Sequence, residues 1–266
     1  MHADTLNIWT NDHHVGYLWR DERNDIGFQY SEEWLENPVR FPVSKTLPLK
    51  AETYEPGAEN RIAHHYFANL LPEANSRVRI CRQKKISADN DFELLRAIGG
   101  ECAGALSILG DEPHYKAPEY RQLNDADLTE LLVNRNPSVI VEAGQNPPRL
   151  SLAGAQDKAP VKYENAKFYI PLHNSVSTHI LKYRIRDIKH VPAYETITMW
   201  IADELGLGVS EIDYHTHGKE SFTLGKRYDR VIIADEPTRL HQEDFCQASG
   251  RSSSNKYDQG IIYPLF

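Results

Sequence analysis

Hydrophobic and polar positions alternate with a period of two near the N-terminus. Leu6–Trp9 and Val15–Trp19 flank the polar turn "TNDHH", and Ile26–Tyr30 follows the polar stretch "RDERND". This pattern predicts a small antiparallel sheet of three strands. "SEEWL" then reads as a short helix capped by Ser31, and the two prolines of "FPVSKTLPL" (41–49) keep that segment extended or looped. In "IAHHYFANLLPE" the apolar Ile62, Tyr66, Phe67, Leu70 and Leu71 fall at helical spacing, with Pro72 as the stop. A second helix, capped at Ser87 or Asp89, runs through Phe92, Leu94, Leu95 and Ile98 to Gly99–Gly100, and "GALSIL" (104–109) follows as a buried strand. Strand before glycines and helix after them is the dinucleotide fingerprint; here the order is reversed, so the glycines read as a helix C-cap against a sheet.

The second half repeats the alternation with less punctuation. Residues 111–122 are polar and carry proline, as a linker does, and "NDADLTELLVNR" is a helix capped at Asn124 or Asp125. "APVKY" and "KFYIPL" predict a hairpin across "ENA", and Ser177–Tyr183 is a further strand. An amphipathic helix runs from about Ala193 to Leu205, with Pro192 near its start and Gly206 past its end. "SFTLGKRYDRVII" reads as two strands meeting at Lys226–Arg230.

Composition narrows the function classes. The 266 residues carry a net charge of −8, which argues against a chain whose main work is gripping nucleic acid. The basic run Arg77, Arg79, Arg82, Lys84 and Lys85 reads as a solvated helix end. Three scattered cysteines fit a reducing, cytoplasmic compartment, and no segment has the length and apolarity to span a bilayer. The adjacent histidine pairs 13–14 and 64–65 lack ligand spacing, so no metal site is expected.

Candidate chemistry lies in the order of four features. "RLSLAGAQDKAPV" (149–161) sets a small-residue polar turn between extended flanks; a strand carrying Lys182 follows, then a helix with Glu195 in its first turn, then a strand pair leading to Lys226–Tyr228. Small residues let backbone N–H groups approach phosphates, a strand lysine neutralises phosphate charge, a helix glutamate holds that lysine, and a connector clasps a base. Each feature alone has a structural reading as well: Lys182 as a surface lysine, Glu195 as an acid near a helix N-terminus. No Walker motif is present.

"SLAGAQDK" (151–158) resembles the signature of HipA-family serine/threonine kinases, the toxins of HipBA-type toxin–antitoxin pairs. "FPVSKTLPL", "FANLLPE", "AIGGECAGALSIL", "STHILK", "ADELGL", "KRYDR" and "HQEDFCQASG" resemble further family segments in the same order. The resemblance implies an α+β fold with a kinase-like N-terminal lobe, in which residues 1–110 form a small N-terminal antiparallel subdomain and 111–240 the nucleotide-binding part. It implies that Ala153, Gly154, Ala155, Gln156, Asp157 and Lys158 form the nucleotide turn, with Ser151 as the autophosphorylated serine. Lys182 would be the ATP lysine, Glu195 its positioning partner, and Lys226, Arg227 and Tyr228 the adenine-side connector, although the family carries an acid where Lys226 stands. ATP and Mg2+ are the implied cofactors. The implied partners are a HipB-like helix-turn-helix antitoxin, which would supply DNA contact, and a protein substrate such as an aminoacyl-tRNA synthetase.

The family's aspartate base and metal-binding residues have no counterpart in this sequence, so neither catalytic nor metal residues are assigned. Asp244 reads as a helix-capping acid, because Asn255 is eleven residues on rather than five. The resulting expectation is a kinase truncated before its C-terminal lobe, with 241–266 as the start of that lobe, inactive alone, and an apolar face bared on the helix near Phe245. The rival expectation is a non-catalytic decoy or immunity factor that binds the antitoxin or a separately encoded lobe.

Overall fold

The computed structural model describes residues 4–110, 114, 117–135, 154, 156–185, 188 and 190–256. The N-terminal alternation folds as read. Strands β1 (Leu6–Thr10), β2 (His13–Arg20) and β3 (Ile26–Tyr30) form an antiparallel sheet, and β4 (Leu106–Leu109) joins it beside β1 in the order β3-β2-β1-β4. Helix α1 (Glu32–Glu36) starts at Ser31, whose hydroxyl accepts from the Trp34 N–H. Helix α2 (Ile62–Ala68) stops at Asn69, earlier than Pro72. Helix α3 (Ala74–Lys84) follows, and α4 (Asp91–Ile98) is capped by Asn90 rather than Ser87 or Asp89. Leu6, Ile8, Leu18, Phe28, Phe67 and Phe92 are fully buried members of one core that joins this sheet to its helices. Gly99 shows why the helix ends in glycine: a Cβ there would sit 2.6 Å from Leu95 O and 3.0 Å from Ile108 Cβ.

The second sheet has six strands in the order β5-β7-β6-β8-β10-β9. They are β5 (Tyr120–Gln122), β6 (Lys158–Glu164), β7 (Lys167–Pro171), β8 (His179–Tyr183), β9 (Ile212–His217) and β10 (Glu220–Lys226), with neighbours antiparallel. Asn165 and Ala166 turn β6 into β7 with positive φ at both positions, as a tight hairpin demands. Alternation gives the sheet two faces: Ala159, Val161, Leu181, Tyr183, Phe222 and Leu224 pack into a second core with Leu128 and Leu131 of α5 (Asp125–Asn134). Helix α6 (Val191–Glu204) packs against β9 and β10. A separate hairpin, β11 (Arg230–Ile233) and β12 (Glu236–Arg239), the four-residue helix α7 (Phe245–Ala248) and a short 3-10 helix (Ser253–Asn255) complete the described elements.

One expectation is corrected here. The helix near Phe245 does not lack a packing partner. Asp244 caps α7 in a reciprocal box with Gln247, whose Nε2 donates to Tyr66 O at 3.1 Å, and Cys246 and Gln247 are buried. The helix is short and rests on α2, so only Phe245, 82% exposed, projects outward.

Candidate functional site

Register brings the site together. On β6 and β8, Lys158 stands directly opposite Lys182, and Thr223 of β10 is opposite Lys182 on the other side. Cross-strand partners share a face, so both lysines emerge on the side away from the second core. There they line a cleft of about 420 Å3 together with Glu195 and Met199 of α6, Ile180 and Gly225. Helix α6 starts at Val191 rather than Ala193, which puts Glu195 in its second turn, and the Glu195 carboxylate pairs with the Lys182 ammonium. Thr223 Oγ1 donates to the other Glu195 oxygen at 3.4 Å.

The polar turn is anchored from both domains. Gln156 Nε2 donates to Tyr183 O at 2.9 Å, and Tyr183 N donates to Asp157 O at 3.1 Å. The Asp157 carboxylate accepts from Ser76 Oγ and Arg79 Nη1, each at 2.5 Å, with Arg135 Nη1 at 3.5 Å. Burial pushes that carboxyl upward, but the hydroxyl and guanidinium groups outweigh it and hold Asp157 below the usual range. Arg77 pairs with Asp91, so two residues of the basic run on α3 are structural anchors rather than a solvated end. Gly154 has φ +107 and pairs with Pro72, and a Cβ on it would meet Lys158 Nζ at 2.8 Å. Ser151, Ala153 and Ala155 lie outside the described residues.

Lys158 is the most perturbed cation of the cleft. Burial first, then the charge of Lys182, bring its pKa down to about 8. Glu73 and Glu195 act against that shift without cancelling it, and two ammonium groups on one face of a cleft suit an anionic ligand such as a phosphate chain.

The far wall is the connector after β10. Lys226 pairs with Glu211 at 3.1 Å, and Tyr228 is 71% exposed. Arg227 is 3% exposed and turned inward. It donates to Asp229, Ser177 Oγ and Glu101, while Arg230 and Arg239 also reach Glu101. Burial alone would raise the Glu101 carboxyl, but the three guanidiniums and Ser177 hold it far below the usual carboxylate range. Sequence reasoning missed Glu101. Its only signal was an acid directly after the Gly99–Gly100 helix stop, within an otherwise apolar strand approach.

Among the described residues no group of three or more His, Cys, Asp or Glu side chains is gathered to hold a metal ion, and Asp244 pairs with Lys256 at 3.0 Å. No described helix is long and apolar enough to cross a membrane.

Comparison with known proteins gives this geometry a lineage. The family model for the HipA N-terminal domain matches residues 6–109, and that for the HipA-like C-terminal domain matches 150–265. The putative kinase Y4mE of Sinorhizobium fredii is 36% identical over 264 residues, covering 97% of this chain and 62% of its own length. The serine/threonine-protein kinase toxin HipA of Shewanella oneidensis is 30% identical, over 97% of this chain and 58% of its own. A solved structure of the Shewanella oneidensis HipA, HipB and operator DNA complex matches with a TM-score of 0.74 and 29% identity, over 95% of this chain and 58% of that one. The chain thus spans about three fifths of the length of the relatives it matches. The match to the C-terminal family domain begins at residue 150, so the expectation that this chain lacks the C-terminal lobe is not upheld. Both domain models match in sequence order, and the chain belongs to the HipA family.

Proposed function

We propose that this chain is the nucleotide-binding unit of a HipA-type, ATP-dependent serine/threonine kinase. The observation that carries the reading is the convergence of Lys158 and the Lys182–Glu195 pair on one face of one cleft, opposite the Lys226–Tyr228 connector. ATP fits these residues: the two ammonium groups face the space a triphosphate would take, and ATP would supply the phosphoryl group. Glu195 keeps Lys182 extended toward the cleft, Lys158 adds a second positive charge at the turn, and the backbone at Glu211–Tyr228 borders the base. Gly154, Gln156 and Asp157 shape the turn, with Ser151, Ala153 and Ala155 as its remaining proposed members and Ser151 as the phosphorylated one.

A helix-turn-helix antitoxin is the proposed partner, supported by the similarity to a HipA solved with HipB and operator DNA. A protein substrate of the aminoacyl-tRNA synthetase type rests on the family alone. The test is calorimetric titration of the full chain with ATP. Saturable one-to-one binding that inorganic tripolyphosphate displaces is expected; no heat of binding at any ATP concentration would overturn the reading.

A second reading is favoured by one observation. The outer face of α6 and the turn after it leave Tyr194, Ile197, Ile201, Leu205 and Leu207 about half or more exposed. A contiguous apolar face of this kind suits an interaction protein as well as a kinase.

A further inference from the structure

Asn69 stands at the C-terminal end of α2, in the N-terminal domain, yet it forms part of the cleft wall near Lys158 and Lys182. Its Nδ2 donates to His65 O at 2.8 Å and to Arg251 O at 2.9 Å. Those two bonds fix which way round the amide lies, because a reversed amide would point its oxygen at two carbonyl oxygens. The remaining polar atom, Oδ1, is buried and has no hydrogen-bond partner among the described residues, and Asn69 as a whole is 2% exposed. Most buried acceptors in folded proteins are satisfied, and an unsatisfied one on a residue that lines a cleft calls for a cause, which a donor on a bound ligand would supply.

We infer that Asn69 Oδ1 accepts a hydrogen bond from a ribose hydroxyl of the bound nucleotide, so that the N-terminal domain takes part in nucleotide selection. The inference rests on the nucleotide reading above. An oxygen acceptor needs a donor. The phosphates of a triphosphate are ionised above neutral pH and have lysines as partners, and the amine of the base lies with the connector in the same reading. The ribose hydroxyls are the donors that remain. Pro72 and Glu73, which follow Asn69 after Leu70 and Leu71, hold the turn at Gly154 through backbone pairing, with Glu73 N donating to Gly154 O at 3.3 Å. The same short segment therefore sets both the turn and the acceptor.

The test titrates the full chain and its Asn69→Ala variant with ATP, 2′-deoxy-ATP, 3′-deoxy-ATP and inorganic tripolyphosphate. In the wild type one of the deoxy nucleotides should bind about fivefold more weakly than ATP, the worth of one neutral hydrogen bond. In Asn69→Ala, ATP should weaken by a similar factor and the deoxy penalty should vanish, while tripolyphosphate binds both proteins alike. Equal deoxy penalties in both proteins, or none in the wild type, overturn the inference while leaving nucleotide binding intact. Failure of the wild type to bind ATP is a separate, visible result that removes the nucleotide reading and this inference together. Should loss of the two Nδ2 bonds prevent the variant from folding, the deoxy series on the wild type decides: two analogues as tight as ATP overturn the inference.

Discussion

At the scale of single residues, Lys158 couples charge, stability and binding. Its pKa, brought to about 8 by burial and by Lys182, leaves it protonated below that value and neutral above it. A phosphate ligand favours the protonated form, so ATP affinity should fall as pH rises through about 8, and Lys158→Met should flatten that profile. The folding sign is opposite. A lysine whose pKa is depressed on folding costs stability wherever it stays charged, below about pH 8, and the cost is relieved as pH rises toward the unfolded value. Lys158→Met should therefore raise the thermal midpoint at neutral pH while weakening ATP, a trade read by paired melting and titration curves. Lys182→Met should cut ATP affinity about tenfold, roughly 1.4 kcal/mol, without unfolding the chain, because the Lys182–Glu195 pair is partly exposed. Glu101 is the contrary case. Removing it takes a shared carboxylate from three buried guanidiniums, of which Arg227 and Arg230 keep Asp229 and Arg239 loses its ion pair, so Glu101→Ala should lower stability by about 3–5 kcal/mol in denaturant titration. The sequence placed Lys182 and Glu195 together because strand-then-helix order is visible in periodicity. It left the roles of Glu101 and Asn69 unread, although both lie in family-like segments, because partners of theirs lie 126 and 182 residues away in the chain.

Among the elements, hairpins and caps were legible because their signals are local. The β1–β2 turn, the Asn165–Ala166 turn, the Ser31 and Asn124 caps and the Asp244 capping box all follow from residues within a few positions of one another. Strand β9, "IDYHTH", escaped because Ile212 alone of its residues is fully buried and apolar and the strand lies on a sheet edge. Helix α3 was hidden for a related reason. Its arginines look like a solvated run until Asp91 and Asp157 come to meet them. The expectation of an unsupported helix at Phe245 failed because pattern alone does not show that a four-residue helix can rest on α2 through Gln247 and Tyr66. Phe245 itself remains outward, so Phe245→Ser should change stability by less than about 0.5 kcal/mol while reducing self-association in light scattering.

For the whole molecule, the two cores are joined by polar contacts rather than by a continuous apolar interface. Glu101 of the N-terminal domain is held by Arg227, Arg230 and Arg239, Ser44 donates to Glu243 at 2.6 Å, and His65 Nδ1 donates to Gly250 O at 2.7 Å. The N-terminal domain thus braces the back of the connector and lends Asn69 to the cleft. The architecture and the family were legible from ordered motifs; the bracing was not, because it is made by residues far apart in sequence that only the fold brings together. The most direct measurement is labelling of the full chain with a lysine-reactive ATP analogue, followed by peptide mass spectrometry. The account predicts modification concentrated on Lys182 or Lys158 and suppressed by excess ATP. Label spread over surface lysines and indifferent to ATP would contradict it.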